Sequence, residues 1–304
     1  LLLRRNLPPT SGYANILQNI GETQSDGIEF SLGANILDNP NGLQWSVNFN
    51  ISSYNEEITQ LALTDENGNS VDDIGNRWFI GEPIRVFFDY EKIGIYQSNE
   101  AELARTAEDK VPGEIKLRDQ NGDGIITPDD RIILGTDVPD FLGGITNRFS
   151  YKGFDLSFFF FFRQGGMVNS AFHTSGSLNG LFGRYNNLDV DYWTPDNPTN
   201  AFPRPNENQE RPRNNATLGY FDGSFVKLRN ASLSYTLPAN ITQNLGMSRL
   251  KFYVSGQNLL VFSPYETFDP EADDPDTGDL PTIGGGDNII PSTRLVLFGI
   301  NAQF

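Results

Sequence analysis

The chain has 304 residues and a formal net charge of −17, with 22 Lys and Arg against 39 Asp and Glu. This charge argues against a nucleic-acid partner, because a phosphate-binding surface needs clustered Lys and Arg, and against adsorption to anionic lipid. Phe, Tyr and Gly are abundant and Cys is absent, so the composition is typical of many strands joined by loops, without disulfides.

The start of the chain and its apolar runs limit the possible architectures. The first residues, Leu1 to Arg5, include neither an initiator Met nor a signal peptide, which predicts a break within a longer polypeptide. The longest uninterrupted apolar run extends from Phe158 to Phe162. Because a membrane-spanning helix needs about 20 apolar residues, the sequence predicts no transmembrane helix.

Segments of about ten residues with alternating polarity recur along the chain, and each predicts a strand with one apolar face. The predicted strands are Asp26–Leu37, Gln44–Ser53, Phe141–Tyr151, Phe154–Arg163, Ser224–Leu237, Leu250–Gln257 and Arg294–Phe304. In the first of them the apolar face runs from Ile28 to Ile36. Phe159 and Phe161 break the alternation in the fourth strand. Two explanations stay open: packing inside a barrel, or a bulge that shifts the register.

The connections between these strands are alternately short and long. Short turns are predicted at Asp38–Gly42, Tyr151–Gly153 and Pro238–Ser248. The long segments cover residues 54–140, 164–223 and 259–293. Outer-membrane barrels have short periplasmic turns and long extracellular loops. We therefore predict that residues 1–304 form one partial, all-β barrel domain with these three segments as extracellular loops.

The final strand, Arg294–Phe304, has one face that is apolar throughout and ends on an aromatic side chain. Its length suits a tilted strand that crosses a bilayer, whereas soluble chains usually end in a polar tail. A closing edge strand of a soluble sandwich is the alternative. Seven strands are an odd number, and bacterial single-chain barrels have even counts. We expect that the missing N-terminal part or a partner chain completes the barrel.

Four aromatic residues lie on the apolar parity near the short-turn ends of the strands. They are Trp45, Tyr151, Tyr235 and Phe304. Aromatic side chains form girdles at both membrane interfaces of outer-membrane barrels, so these four predict the periplasmic girdle. For each residue taken alone, ordinary core packing is the alternative.

One motif carries recognisable ion chemistry, the segment Asp119–Asp130, which fits the calcium-loop pattern D-x-[DN]-x-[DN]-G. The predicted calcium ligands are oxygen atoms of Asp119, Asn121, Asp123, Ile125, Thr127 and Asp130, with Ile125 contributing its backbone carbonyl. Asp130 replaces the usual Glu at the last position, and its shorter reach predicts modest affinity, suited to extracellular calcium. A turn with solvated acidic side chains is the alternative.

Motifs along nearly the whole chain resemble one family, the SusC/RagA branch of TonB-dependent outer-membrane transporters. The motifs that carry the resemblance are Asn19–Glu22, Gly81–Pro83, Gly94–Ser98, Arg118–Ile125, Asp130–Arg131, Gly153–Leu156, Phe225–Asn230, Tyr235–Pro238, Gln257–Asn258 and Phe268–Glu271. The resemblance covers the C-terminal third of such a protein, and the N-terminal plug and the TonB box have no counterpart in this sequence.

The resemblance implies a fold and a function. The fold would be the C-terminal portion of a transmembrane antiparallel β-barrel of about 22 strands, with the C-terminus on the periplasmic side of the outer membrane. The function would be the import of oligosaccharides or peptides, with a SusD-like lipoprotein as the lid and TonB as the source of energy. The expected partners are the remaining barrel and plug, this lipoprotein and membrane lipid.

Catalysis has little support in the sequence. The chain has one His, His173, in a Ser/Gly/Asn-rich loop where we expect it to be solvated. We therefore expect no enzyme. Tyr185, Tyr192 and Trp193 are weak candidates for stacking on a sugar ring, with packing inside their loop as the alternative. The acidic segment 266–279 is interpreted as a solvated loop, with a second cation site as the alternative.

A second function, from a different class, also fits the composition. It is a secreted calcium-dependent β-rich binding or adhesion module. In that case the apolar face of each strand would pack against a second sheet, whereas in a transporter it would face lipid.

Overall fold

A computed structural model describes residues 21–174, 189–206, 211–265 and 292–304, together with 2–6, 10, 12–13, 15–19, 267, 269–271 and 282–283. Its strands are β1 (Leu2–Asn6), β2 (Asn15–Asn19), β3 (Gly21–Asp38), β4 (Gln44–Leu61), β5 (Val86–Tyr90), β6 (Lys92–Ile95), β7 (Ile115–Leu117), β8 (Arg131–Thr136), β9 (Phe141–Tyr151), β10 (Phe154–Gln164), β11 (Met167–Ser170), β12 (Tyr220–Asp222), β13 (Phe225–Thr236), β14 (Arg249–Phe262), β15 (Thr282–Ile283) and β16 (Leu295–Gln303). The α-helices are α1 (Ala101–Glu108), α2 (Ala171–Thr174) and α3 (Ala239–Asn244).

One large sheet organises the chain. It has seven strands in the order β3-β4-β9-β10-β13-β14-β16, and every neighbouring pair is antiparallel. These are the seven strands that the alternation of polarity predicts, so the predicted all-β class and strand set are confirmed. The sheet is open, with β3 at one edge and β16 at the other.

The first hairpin is longer than the sequence pattern indicates. Both β3 and β4 have 18 residues, and their pairing continues to Gly21 opposite Leu61. Strand β4 therefore runs past Tyr54, where the first long loop was predicted to begin. The extension lacks the alternation that reveals a strand. Residues 21–25 of β3 are polar or small on both faces, and the buried Ile58 and Leu61 of β4 are three residues apart, so backbone pairing continues there without a period-two pattern.

Phe159 and Phe161 stay on the polar face of the sheet, and inward packing, not a register shift of β10, accounts for them. The pairing of β10 with β9 is regular, but its pairing with β13 shifts at Phe159, where Arg229 of β13 has no partner. The Phe159 ring lies where a side chain at Gly144 would be, and the Phe161 ring lies 3.8 Å below the Arg229 guanidinium. The bulge therefore belongs to β13, and the two rings pack inward.

A second bulge, in β3, changes which residues lie on the apolar face of that strand. Asn35 pairs with Ser46 and Leu37 pairs with Trp45, so Ile36 has no partner between them. The prediction that Ile36 continues the apolar face in register is wrong. Leu37 takes that place, because one extra residue in a bulge moves all following side chains to the opposite face.

The apolar side chains of the large sheet are exposed. Leu32 is 54% exposed, Leu233 44% and Phe298 77%. In the described part of the chain these side chains are not covered by a second sheet, as a soluble sandwich would require. Among the described residues, no helix is long and apolar enough to cross a lipid bilayer.

The first two long segments fold together beyond the end of the large sheet. Ile95, Ile115 and Leu117 from the first segment form a buried cluster with Trp193 and Leu218 from the second. Three small sheets, β5-β8, β6-β7 and β12-β11-β15, belong to this loop body. The loops are therefore a compact body with a core of its own, positioned at the end of the sheet opposite the short turns.

Candidate functional site

The polar face of the large sheet ends in a recess beside the loop body. The recess has a volume of about 320 Å³ and its lining includes Tyr54, Arg85, Asp137, Phe161 and Arg163. Tyr54, Phe161 and Arg163 come from the polar face of β4 and β10. Arg85 directly precedes β5 and Asp137 directly follows β8, the strand paired with it. Strands therefore supply one wall of the recess and the first long loop supplies the other.

The charges in the recess are unevenly paired. Arg85 forms an ion pair with Asp137 at 2.9 Å. Arg163 donates from Nη2 to the backbone carbonyl of Asp137 at 2.6 Å, which satisfies a donor without neutralising its charge. Burial raises the pKa of the Asp137 carboxyl above its usual range, and the nearby guanidinium of Arg85 opposes this shift. Burial thus disfavours the charged form of the Asp137 carboxylate, which lies near the guanidinium groups of Arg85 and Arg163.

A buried ion-pair network lies next to the recess. Lys227 of β13 is fully buried and donates to Asp269 at 3.1 Å, to Glu271 at 2.8 Å and to the Ser292 hydroxyl at 3.0 Å. Arg229 forms a further ion pair with Glu271. These contacts tie the chain after β14 and before β16 to the polar face. Asp269 and Glu271 of the acidic segment 266–279 thus form ion pairs with Lys227 and Arg229. The other acidic residues of this segment lie outside the described residues: Glu266, Asp273, Asp274, Asp276 and Asp279.

The predicted calcium loop closes through its own hydrogen bonds. The Asp119 carboxylate accepts the backbone N–H groups of Gly122 at 2.7 Å and Gly124 at 2.8 Å. Asn121 accepts the N–H of Asp123 at 2.9 Å. The positive φ angles of Gly122 and Gly124, 77° and 85°, allow this turn without strain. The oxygens of Asp119 and Asn121 are therefore occupied by backbone N–H groups of the loop itself.

Asp130 closes the other end of the loop and is fully buried. Its carboxylate accepts the backbone N–H of Thr127 at 2.7 Å and that of Gln120 at 2.9 Å. These hydrogen bonds hold the pKa of Asp130 below its usual range, and the bond from the Thr127 N–H has the largest effect. Thr127 also caps the short 3-10 helix Pro128–Asp130, because its side chain accepts the backbone N–H of Asp129.

The donor atoms of this loop are of the kind that calcium binds. Asn121, Asp123 and Ile125 are exposed, Asp119 and Thr127 are half-buried, and all offer oxygen. Within the part of the chain that the structure describes, no group of three or more His, Cys, Asp or Glu side chains is arranged to hold a metal ion. An ion here would rely on amide, carbonyl and water oxygens beside the carboxylates, which is typical of weak calcium sites.

The four predicted girdle residues lie at the short-turn end of the sheet. Trp45 stacks on Phe149 with ring centroids 5.5 Å apart and donates its indole N–H to Asn147 at 3.1 Å. Tyr235 packs on Phe154 with a centroid distance of 4.3 Å. Tyr151 is 45% exposed and Phe304 85%. The arrangement agrees in position with a girdle, and a membrane contact for these residues stays a prediction.

The structure selects one of the two interpretations of Trp193 and corrects the expectation for His173. Trp193 is 5% exposed and donates to Gln97 at 2.9 Å, so it packs inside the loop body instead of stacking on a sugar. Tyr192 is exposed, and Tyr185 lies outside the described residues. The expectation that His173 is solvated is wrong: it is 5% exposed and lies 2.7 Å from the Ser170 hydroxyl. Its ring packs on those of Phe202 and Phe221 of the same long segment, with centroid distances of 6.4 Å and 4.7 Å.

Sequence reasoning did not identify the recess. Its residues come from six separate parts of the chain, so their spacing along the sequence carries no signal. Lys227 and Arg229 do alternate with apolar residues at the start of β13, which is a weak sign of cations on the polar face. Their carboxylate partners, however, follow more than forty residues later in the loop after β14.

The whole chain has relatives among known proteins. No protein-family model matches it. Two TonB-dependent receptors of Formosa agariphila are 33% and 34% identical to it over its entire length, and the TonB-dependent receptor SusC of Bacteroides thetaiotaomicron is 26% identical over 97%. The chain spans about a third of the length of these relatives, namely 31%, 31% and 28%.

Solved structures share the fold. The structure of the RagAB peptide transporter superposes with a TM-score of 0.73 over the whole chain and 32% of that protein, at 22% identity. The RagAB peptide importer in the closed-closed state gives a TM-score of 0.71 at 23% identity. At these identities the likeness establishes the fold. The seven-stranded sheet thus has the fold of part of the β-barrel in these structures.

Proposed function

We propose that this chain is a wall segment of an outer-membrane nutrient transporter, because it is similar over its whole length to about a third of the length of TonB-dependent receptors of the SusC/RagA type. Its apolar face would contact lipid and its polar face would line the lumen. The loop body would lie outside the cell, at the entrance to the lumen. The relatives are receptors and transporters, and this chain is no enzyme.

The exposed apolar face of a seven-stranded antiparallel sheet is the observation that supports this proposal most. Apolar side chains spread across all seven strands would be a liability in water, because large exposed apolar patches promote aggregation. In a bilayer the same surface is stabilised by lipid, and the polar groups of the opposite face keep contact with water. A secreted binding module would need a cover for this face, and no observation favours that alternative.

The two open edges require the rest of the barrel. Strands β3 and β16 each present backbone N–H and C=O groups that have no strand beside them in the large sheet. In lipid each unsatisfied group costs several kcal/mol, so only a closed barrel is stable there. We expect that residues 1–304 expressed alone do not refold in detergent. A monomeric, heat-resistant barrel formed by this segment would contradict the proposal.

The relatives support a proposal for the cargo and the partner. We propose that the whole protein imports oligosaccharides or peptides that are too large for porins, with energy passed on by TonB. One structural neighbour is a peptide transporter that carries a second component, RagB, and another relative is SusC. A SusD-like lipoprotein covering the loop body is the corresponding partner of this chain.

Calcium would have a structural role in this proposal. The Asp119–Asp130 loop lies within the loop body, where an ion would fix the orientation of exposed side chains next to the partner. Oxygen donors of mixed type suit the weak affinity that millimolar extracellular calcium permits. The ion would take no part in transport chemistry.

Uptake by cells tests the function directly. A strain in which the full-length gene is deleted is compared with the same strain carrying a restored copy, using fluorescent oligosaccharides and peptides. The proposal predicts that uptake of at least one of these oligomers needs the gene and also needs a working TonB system. Uptake that is equal in both strains for all oligomers offered would contradict an import function.

A further inference from the structure

The geometry points to a binding recess for a carboxylate group of the imported oligomer, on the polar face of β10 and centred on the Arg163 guanidinium. This inference rests on the proposed import function and names the chemistry of the group that the wall recognises. It excludes no class of oligomer, because acidic peptides and oligosaccharides with uronic acids both carry carboxylates.

Arg163 is a half-buried cation without a carboxylate partner. Arg85, Lys227 and Arg229 all form ion pairs, whereas none of the ion pairs among the described residues includes Arg163. Its Nε is buried and has no hydrogen-bond partner in the part of the chain that the structure describes. A buried charge is costly unless an opposite charge compensates it, so this position gains from an anion in the recess.

The neighbouring groups leave this need unmet. Asp137 faces the recess, but its carboxylate is paired with Arg85 at 2.9 Å. It lies near enough to Arg163 to interact through charge, yet the hydrogen bond from Arg163 goes to the backbone carbonyl of Asp137 and not to its carboxylate. Glu271 also lines the recess, but it is paired with Lys227 and Arg229. The carboxylates at the recess are thus committed to other cations, and Arg163 remains to recognise an incoming group.

The size and lining of the recess suit one unit of an oligomer. A volume of about 320 Å³ is at the lower end of small-ligand sites, enough for one amino acid or one sugar ring. Leu142, Val168, Phe161 and Phe225 supply apolar walls, against which an aliphatic chain or a sugar ring packs. The planar guanidinium offers paired N–H donors that match the two oxygens of a carboxylate.

The chain offers a matched control for this site. Arg148 lies on the same polar face, in the adjacent strand β9, and is exposed. It pairs with Ser157, six residues before Arg163, so it is about 20 Å nearer to the short-turn end of the sheet. Replacement of either Arg by Gln removes the same charge from the same surface, but only Arg163→Gln alters the recess.

The experiment uses the full-length transporter, purified in detergent and immobilised. It is washed with a peptidase digest of casein or with a digest of pectate, each offered with free carboxylates or after methyl esterification. Retained oligomers are identified by mass spectrometry. A charge-assisted hydrogen bond to one carboxylate predicts that free acids are retained roughly tenfold better than their esters. The digest that shows this preference identifies the source of the carboxylate.

The variants decide whether Arg163 is responsible. We expect that Arg163→Gln abolishes the preference, that Arg163→Lys restores part of it, and that Arg148→Gln keeps it. A change of gel mobility on heating checks that each variant assembles. If Arg163→Gln does not assemble, Arg85→Gln takes its place, because it leaves Asp137 unpaired and should therefore weaken the retention of acids. A preference absent from the natural protein, kept in Arg163→Gln or lost equally in Arg148→Gln would overturn the inference. Retention of no oligomer in any form would contradict the import function itself.

Discussion

Arginine introduced on the two faces of β3 separates a lipid-facing wall from a soluble sheet. Leu32 lies on the apolar face, is 54% exposed and pairs with Phe49, four residues along β4 from the predicted girdle residue Trp45. Four residues advance about 14 Å along a strand, or about 10 Å along the membrane normal at a tilt of ~45°. Leu32 therefore lies near the middle of an apolar band about 25 Å tall.

We expect that Leu32→Arg lowers the free energy of unfolding by about 2–4 kcal/mol, because a cation near the bilayer midplane loses its hydration. The control is Ser31→Arg, which places the same side chain on the polar face, opposite Asn50. Surface changes of that kind cost less than about 0.5 kcal/mol. Unfolding of the full-length protein by guanidinium in lipid vesicles measures both values. Equal costs, or a larger cost for Ser31→Arg, would refute the assignment of the two faces.

Three further changes test the packing of the sheet and its loops. Gly299→Ala should lower stability by about 1–3 kcal/mol, since a Cβ there collides with the ring of Tyr253, and guanidinium unfolding measures it. Lys227→Met leaves two paired carboxylates without their shared cation, and a local cost of about 3–5 kcal/mol should appear as faster proteolysis after β14. Asp119→Ala combined with Asp123→Ala should abolish calcium binding, measured by calorimetry, while the barrel still assembles.

Each of these changes has a control. Removal of the Tyr253 ring by Tyr253→Ser should rescue Gly299→Ala, and a double variant that is no more stable would show that the collision is not the cause. Lys251→Met removes a half-buried cation from the same face and should leave proteolysis after β14 unchanged. Asp129→Ala removes an exposed acid from the calcium loop without removing a predicted ligand. If the natural loop binds no calcium at millimolar concentration, the turn with solvated acids is correct.

Much of the fold was predictable because a half-buried strand repeats its polarity every two residues. Each of the seven strands of the large sheet has one apolar face, and each was found by that pattern. The prediction failed where the pattern is absent. Residues 21–25 of β3 are polar or small on both faces, and the apolar residues Ile58 and Leu61 at the end of β4 do not alternate. The bulge at Ile36 shifts the alternation by one residue without any change in composition.

The candidate sites differ in how local they are. The calcium-like loop is one continuous segment, so the spacing of Asp119, Asn121 and Asp123 predicts its turn. The recess around Arg163 joins strands to loops that are distant in sequence, and no local pattern reveals such a contact. The burial of Trp193 and His173 is equally non-local. Trp193 packs in a core that two long loops form together, and His173 packs on Phe202 and Phe221, which lie about thirty and fifty residues away along the chain.

Spin labels at two neighbouring residues of β4 test the central claim most directly. Val47 lies on the apolar face and Asn48 on the polar face, two and three residues along β4 from Trp45. The full-length transporter is labelled at one position at a time and placed in a bilayer, and collision rates with oxygen and with a water-soluble nickel complex are measured. A wall segment facing lipid predicts that oxygen reaches the label at Val47 more readily and that nickel reaches the label at Asn48. The reverse order would contradict the account.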